Sequence, residues 1–272
     1  MPAAAQLAIS LMCLLLLAFD VVPGRPWLLL GNRDEFHGRE SLPAAPWTDA
    51  PDVVGGRDVE AGGSWLALHR NGRFASVTNV RTGAPHRAPR SRGELVAAFV
   101  RGAATPANYA AEVAARSGEY GPFNLIVGDR QSAAAVSSTS PRSWALDRGV
   151  HVFSNGAPGS EWPKEQRITA RFTPLLKDAE VRQSPASADN ALRDHALLEL
   201  LADTEAAADE DLPETGVGIE LERLLAPVFI RGSRYGTRAS TLAYARDDDS
   251  CVVIERSFGP GGVFLGEVRV ET

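Results

Sequence analysis

The chain has 272 residues, of which 44% are hydrophobic and 23% charged, and 34 acidic against 28 basic side chains give a net charge of −6. This composition is typical of a folded globular protein and excludes collagen-like, disordered and disulfide-scaffold chains. The acidic balance, with no basic stripe, argues against a nucleic-acid partner. The widely separated Cys13 and Cys251 indicate either a reducing compartment or a chain indifferent to redox, and we expect a cytoplasmic location.

The first nineteen residues form an apolar run without a charged side chain. They lack the basic start and the small-residue cleavage site of a signal peptide. Their length is marginal for a membrane span, so an anchor in residues 1–19 remains one alternative, and only then would we expect membrane association. The other interpretation starts the domain at Met12. Residues 1–11 are then an extension, which a misassigned start codon would explain, and residues 12–20 form a short buried strand.

Cys13 has two interpretations that follow from this choice. If Met12 is an initiator that is removed, Cys13 becomes the N-terminal residue. Its α-amine, with a pKa of ~7.7–8.0, can then serve as the base for its own thiol. The alternative is a small buried hydrophobic residue, because free cysteine is among the most buried residue types.

Strand and turn signals dominate the next part of the chain. An apolar strand over residues 27–30 ends at the polar run 32–35. Residues 37–63 contain several prolines and five glycines, which predicts a loop. Two strand-like runs, 64–69 and 73–80, are joined by Asn-Gly, the dipeptide favoured in two-residue hairpin turns.

Helix signals follow in the middle of the chain. Residues 91–94 match a capping box that predicts a helix start. Thr105 followed by Pro106 predicts a second helix start. A third helix is expected from Pro163, interrupted at Pro174, and a fourth over residues 187–202, with Ser187 as its N-cap.

The remaining segments read as strands and connectors. Residues 203–214 are strongly acidic, which is typical of a solvated connector. Further strands are expected over residues 123–127, 133–137, 151–154, 240–245, 251–255 and 264–270. Strands and helices are segregated rather than alternating, which predicts an α+β fold. We expect a single domain over residues 12–272.

Several kinds of site have no sequence signal. The five histidines include no pair spaced for a shared metal ion, and no zinc motif occurs, so no metal is expected. What stands out is the run Asn32-Arg33-Asp34-Glu35-Phe36 at a strand end. It is either a charged surface turn or a site, since an arginine lowers the pKa of a neighbouring thiol and an aspartate orients an amine.

A family resemblance rests on several motifs in one order along the chain. The motifs are Met12-Cys13, Asn32-Arg33-Asp34-Glu35-Phe36, Gly56-Arg57-Asp58, Ala61-Gly62-Gly63-Ser64-Trp65-Leu66, Gly72-Arg73-Phe74, Thr78-Asn79, Ser91-Arg92-Gly93-Glu94, Phe123-Asn124-Leu125, Ser154-Asn155, Trp162-Pro163-Lys164, Gly216-Val217-Gly218 and Tyr235-Gly236-Thr237-Arg238. Together they resemble the NRDE family, to which the transport and Golgi organisation proteins belong. The resemblance covers about residues 12–272.

The family is in turn similar to N-terminal-nucleophile (Ntn) hydrolases that use cysteine. This resemblance implies a four-layer αββα sandwich of two antiparallel sheets. It implies Cys13 as nucleophile, with Arg33 and Asp34 positioning and tuning its amine and thiol. It also implies Asn79 and Asn155 as oxyanion-hole candidates.

Arg238 completes the implied site as a second cation near the thiolate. The resemblance implies a pocket that handles a small-molecule ligand, such as haem or an acyl-lipid, or a part in membrane traffic. The first alternative is a cysteine hydrolase of a non-peptide amide or ester, and the second is a protein anchored to a membrane by residues 1–19. No cofactor is required, and haem is expected only as a bound ligand.

Overall fold

The computed structural model describes residues 13–83, 88–181 and 187–272. The predicted extension, residues 1–11, lies outside the described residues. Thirteen strands lie within this part of the chain. They are β1 (Cys13–Val22), β2 (Arg25–Phe36), β3 (Ser41–Trp47), β4 (Ala50–Asp58), β5 (Leu66–His69), β6 (Phe74–Asn79), β7 (Phe123–Gly128), β8 (Ala133–Ser137), β9 (Arg142–Leu146), β10 (Gly149–Phe153), β11 (Tyr235–Ala245), β12 (Cys251–Phe258) and β13 (Phe264–Glu271).

These strands form two antiparallel sheets. The six-stranded sheet has the order β10-β1-β2-β11-β12-β13, and the seven-stranded sheet runs from β3 to β9 in chain order. Five α-helices flank the sheets in the described residues. They are α1 (Gly93–Arg101), α2 (Pro106–Ala115), α3 (Pro163–Val181), α4 (Ser187–Leu200) and α5 (Ile219–Leu225).

Three buried clusters define the order of the layers. Leu15 and Phe74 belong to the cluster between the two sheets. Phe99 of α1 packs with residues of the seven-stranded sheet, and Phe172 of α3 packs with Leu14 and other residues of the six-stranded sheet. The predicted four-layer αββα sandwich and the α+β class are therefore confirmed.

The leucine run in β1 is explained by its place in the middle of this sandwich. Side chains alternate between the two faces of a strand. Leu15 and Leu17 face the other sheet, whereas Leu14 and Leu16 face the helices. Because both faces are covered, the strand is apolar throughout. In the register between β1 and β2, Cys13 lies opposite Arg33.

The prediction of a loop over residues 37–63 is wrong, because β3 and β4 form a hairpin there. The prolines misled the interpretation. Pro43 and Pro46 lie in β3, which is the outermost strand of its sheet. An edge strand tolerates proline, since its outward N–H groups have no partner strand.

Two details of the predicted helices are also corrected. At the start of α1 the Ser91 hydroxyl accepts a 3.3 Å hydrogen bond from the Gly93 N–H, but Glu94 pairs with Arg90 and accepts a hydrogen bond from Tyr120 instead of closing a capping box. Helix α3 continues through Pro174, whose side chain is exposed. The predicted cap of α2 is confirmed, since the Thr105 hydroxyl accepts from the Asn108 N–H.

The described part of the apolar run at the start of the chain lies in strand β1. Residues 13–19 are buried in β1. Across the described ranges, no helix is both long enough and apolar enough to cross a membrane.

Candidate functional site

A cleft of about 240 Å³ opens where strands of both sheets end near the start of α1. Its wall includes Cys13 from the start of β1, Arg33 and Glu35 from the end of β2, and Asn79 from the end of β6. Trp65 and Arg92 complete the part of the wall that concerns chemistry. Strand ends place side chains on a rigid frame, so the positions of these groups are set by the sheets.

Cys13 is 9% exposed and is a free thiol. Burial raises its pKa to about 12, and the negative charge of Asp34 acts in the same direction. The Asp34 backbone hydrogen bond and the positive charge of Arg33 lower the pKa but do not compensate. While Cys13 is joined to Met12, its thiol is therefore protonated at neutral pH.

Arg33 is 5% exposed and faces Cys13 across the β1–β2 register. Its Nη2 atom lies 3.5 Å from the Glu35 carboxylate and 3.4 Å from the Asp58 carboxylate. Its guanidinium carbon lies 4.5 Å from the ring centre of Trp65. Within the described residues, the buried Nη1 atom of Arg33 and the buried Nε1 atom of Trp65 have no hydrogen-bond acceptor.

Asp34 contributes to the site through its backbone, which forms a hydrogen bond with Cys13. Its carboxylate accepts a 2.6 Å hydrogen bond from the Thr237 hydroxyl, and its side chain does not line the cleft. Burial raises the pKa of this carboxyl above its usual range, while the positive charge of Lys164 lowers it. Asp34, which the resemblance implies as a residue that positions the Cys13 amine, therefore lies close to the buried Lys164.

Lys164, near the start of α3, is a buried residue whose role the sequence interpretation missed. Its Nζ atom donates a 3.0 Å hydrogen bond to the Asn155 Oδ1 atom. Burial and the charge of Arg81 lower the pKa of Lys164, whereas Asp34 raises it. The only signal in the sequence was its place in the Trp162-Pro163-Lys164 motif, because its partners are distant along the chain.

The two predicted oxyanion-hole candidates are adjacent but differ in what they can do. Asn79 lines the cleft. Asn155 follows β10 and is fully buried, and its side-chain N–H donates a 2.8 Å hydrogen bond to the Asn79 backbone carbonyl. Asn155 therefore supports Asn79, and Lys164 orients the Asn155 amide.

Arg238 lies in a β-bulge of β11, between Thr237 and Ala239 in the pairing with β2. Its Nη1 atom donates to the backbone carbonyls of Phe36, His37 and Arg39 at 3.0, 3.2 and 3.0 Å. The Arg238 guanidinium therefore binds the turn that follows β2, and Arg238 does not line the cleft. These three hydrogen bonds fix the main chain of the turn.

The described residues contain no group of three or more His, Cys, Asp or Glu side chains arranged to hold a metal ion. The cleft wall instead combines a thiol, an amide side chain and several guanidinium groups. These groups can perform nucleophilic attack on a carbonyl and stabilise negative charge on oxygen.

Two solved structures match most of the chain at low sequence identity. A Caenorhabditis elegans orthologue of N-acylethanolamine-hydrolyzing acid amidase matches with a TM-score of 0.49 and 11% identity, over 85% of this chain and 92% of that one. A mutant of the conjugated bile acid hydrolase from Clostridium perfringens matches with a TM-score of 0.46 and 7% identity, over 96% and 92%. The order of the layers described above rests on the packing of the sheets and helices in this chain.

Relatives in sequence are closer. The human Transport and Golgi organization protein 2 homolog is 29% identical over 262 residues, which covers 90% of this chain and 93% of the relative. The mouse homolog is 27% identical over 266 residues with the same coverage. The Drosophila melanogaster protein is 31% identical over 187 residues, 61% of this chain and 65% of that protein. Because the model of one family, Transport and Golgi organisation 2, matches residues 12–260, the chain belongs to that family, as its motifs predicted.

Proposed function

We propose that this chain is a cysteine hydrolase of the Ntn type that cleaves a non-peptide amide or ester. The observation that carries the proposal is the position of Cys13. Its thiol begins a central strand and lines a cleft together with Arg33 and Asn79. A nucleophile, a cation and an amide donor in one cleft are the groups that acyl transfer needs.

The reaction requires the α-amine of Cys13 to be free. The amine then takes the thiol proton, and sulfur attacks the substrate carbonyl carbon while the carbonyl electrons move to oxygen. The Asn79 side chain is the candidate donor to that oxygen. The leaving group takes the proton from the α-ammonium as its bond to carbon breaks, and water then hydrolyses the thioester and restores the thiol.

Peptide-linked Cys13 is a poor nucleophile, because its pKa of about 12 keeps the thiol protonated at neutral pH. A free α-ammonium beside the thiol adds a positive charge that lowers the thiol pKa. Removal of everything before Cys13 is therefore part of the proposal. A cytoplasmic location also belongs to it, since both cysteines are free thiols.

The same pKa favours a second candidate function for the peptide-linked chain. A buried neutral thiol does not react, so the cleft would bind a ligand without turnover. Haem and acyl-lipids, the ligand classes expected from the family resemblance, belong to this second proposal, as does any role in membrane traffic.

The test compares the full chain with a chain that starts at Cys13, each verified by intact mass. Both are mixed with the p-nitrophenyl ester of a short acid, and nitrophenol release is followed. We expect a burst and then turnover only from the chain that starts at Cys13. Equal hydrolysis by the two chains, or by Cys13→Ser in the short chain, would contradict the hydrolase.

The binding proposal has its own readout in the full chain. Haem bound in the cleft shifts the Soret band on titration, and a fluorescent fatty acid bound there changes its emission. An unchanged signal from both probes removes these two ligand classes. Cys251→Ala is the matched control in every assay, because it removes the other buried thiol.

A further inference from the structure

We propose that the cleft binds an oxyanion of its ligand, a carboxylate or a phosphate, on Arg33, Trp65 and Arg92. The inference deepens the hydrolase proposal and rests on it in one respect. If the ligand is the substrate of that hydrolase, the cleaved amide or ester carries a negative charge. Binding of the oxyanion does not itself depend on turnover, so it can be tested separately.

The first observation is a pair of unused donors. The Nη1 atom of Arg33 and the Nε1 atom of Trp65 are both buried, and neither has an acceptor among the described residues. An unsatisfied buried donor destabilises the folded state, and more so when it is charged. Both side chains line the cleft. A ligand oxygen in the cleft would satisfy them.

The second observation concerns Arg92. Its Nη1 atom donates a 3.1 Å hydrogen bond to the Pro122 backbone carbonyl, and no described carboxylate forms an ion pair with it. Burial lowers the pKa of its guanidinium to about 10, so it still carries its charge at neutral pH. Arg92 is half-buried, and a cation partly removed from water without a carboxylate partner is costly unless a ligand supplies one.

The other two arginines of the wall show what a satisfied group looks like here. Arg39 binds the Asp58 carboxylate through two hydrogen bonds of 2.7 and 3.1 Å. Arg90 pairs with Glu94 and Glu119. Their charges are compensated within the protein, whereas that of Arg92 is not.

The balance of charge on the wall also favours an anion. The basic side chains are Arg33, Arg39, Arg90 and Arg92, and the acidic ones are Glu35 and Asp58. Glu94 and Glu119, outside the wall, compensate Arg90, and the other three guanidinium groups face two carboxylates, so the wall keeps a positive charge in a chain whose net charge is −6. Because guanidinium groups bind carboxylates and phosphates through paired N–H groups, both oxyanions fit these donors.

The test measures binding to the full-length Cys13→Ser chain by calorimetry, so that no turnover interferes. Glutarate is compared with its neutral diamide, and glycerol 3-phosphate with glycerol, which separates a carboxylate from a phosphate preference. We expect an anion to bind and its neutral partner not to. Arg92→Gln should weaken anion binding roughly 10- to 100-fold, as expected for a charge-assisted hydrogen bond.

Two further variants keep the result interpretable if Arg92→Gln alters the wall. Trp65→Phe keeps an aromatic ring beside Arg33 but removes the five-membered ring with its N–H, so it should weaken anion binding several-fold. Arg90→Gln, which removes the same charge from a paired arginine, should have a smaller effect than Arg92→Gln.

Several outcomes overturn the oxyanion site. They are equal binding of anion and neutral partner, no binding of either anion at millimolar concentration, or equal loss in the Arg90 and Arg92 variants. If the chain fails the nitrophenol assay but binds glutarate, the hydrolase proposal is refuted and the oxyanion site stands. If the chain turns over neutral esters but binds neither anion, only the oxyanion site is refuted.

Discussion

The two cysteines lie in the same sheet and are both buried, but their surroundings differ. Both are free, and burial raises the pKa of both thiols. Cys13 faces a cleft beside Arg33 and receives the Asp34 backbone hydrogen bond. Cys251 is packed between the sheets, with its sulfur 3.8 Å from Arg130 and from the Arg70 carbonyl. Burial alone therefore does not distinguish the two thiols, whereas the cleft beside Cys13 does.

The largest expected effect separates the two thiols by activity. In the chain that starts at Cys13, Cys13→Ser should lower ester turnover by at least about 10³-fold, because the nucleophile is lost. Cys251→Ser should leave turnover unchanged and destabilise the fold by about 1 kcal/mol, since it places a hydroxyl in the core. Steady-state kinetics and urea unfolding check the two results. Equal turnover by the two variants would refute the contrast.

The next effect concerns the buried lysine behind Cys13. Lys164→Met should destabilise the protein by about 1.5–3 kcal/mol, because the Asn155 amide oxygen loses its charged donor and the Asp34 carboxyl loses a nearby positive charge. Urea unfolding measures the loss. Exposed Lys177 in the same helix provides the control, and Lys177→Met should stay within about 0.5 kcal/mol of the parent.

The Lys164 variant also carries a pH signature with a defined sign. The Asp34 pKa is raised in the folded state, so the folded chain holds the proton more tightly than the unfolded chain. The contribution of this group to stability therefore falls as pH rises from its unfolded pKa through its folded pKa. Without Lys164 the folded pKa rises further, and the fall should continue to higher pH. An unchanged profile would show that the pair is not coupled.

A smaller effect is expected at Arg238. Arg238→Ala removes a guanidinium that holds three carbonyls of the turn after β2. We expect a loss of about 1–3 kcal/mol in the free energy of unfolding, since three partly buried carbonyls lose their donor. Turnover should fall less than in Cys13→Ser. A loss of turnover as large as that of Cys13→Ser, with stability intact, would instead place Arg238 in the chemistry.

The smallest expected effect appears in alkylation by iodoacetamide, followed by peptide mass spectrometry. With the pKa of Cys13 at about 12, its alkylation in the full chain should rise about tenfold per pH unit from neutral pH. Freeing the α-amine should speed alkylation of Cys13 at neutral pH by at least roughly tenfold, since a nearby cation lowers the thiol pKa by about one unit or more. Cys251 should not change. If it does, the added reactivity comes from loosening of the fold.

Much of the architecture could be predicted from sequence, because β1 and the helices carry strong apolar patterns. The β3–β4 hairpin could not, because proline is a poor strand former except at an edge, and edge position depends on the whole sheet. Arg33 and Asn79 were found because motifs mark strand ends. Lys164 was not given a role, since a buried cation is recognisable only when its partners, Asn155 and Asp34, are seen in space.

The bulge at Arg238 has a consequence for how this family can diversify. Arg238 binds main-chain carbonyls of the turn after β2. Side chains in that turn can therefore change without loss of these hydrogen bonds. Arg39 projects from the same turn into the cleft wall. The frame of the cleft is thus independent of its lining, and substitution at such a wall position can change ligand preference while the scaffold is inherited unaltered.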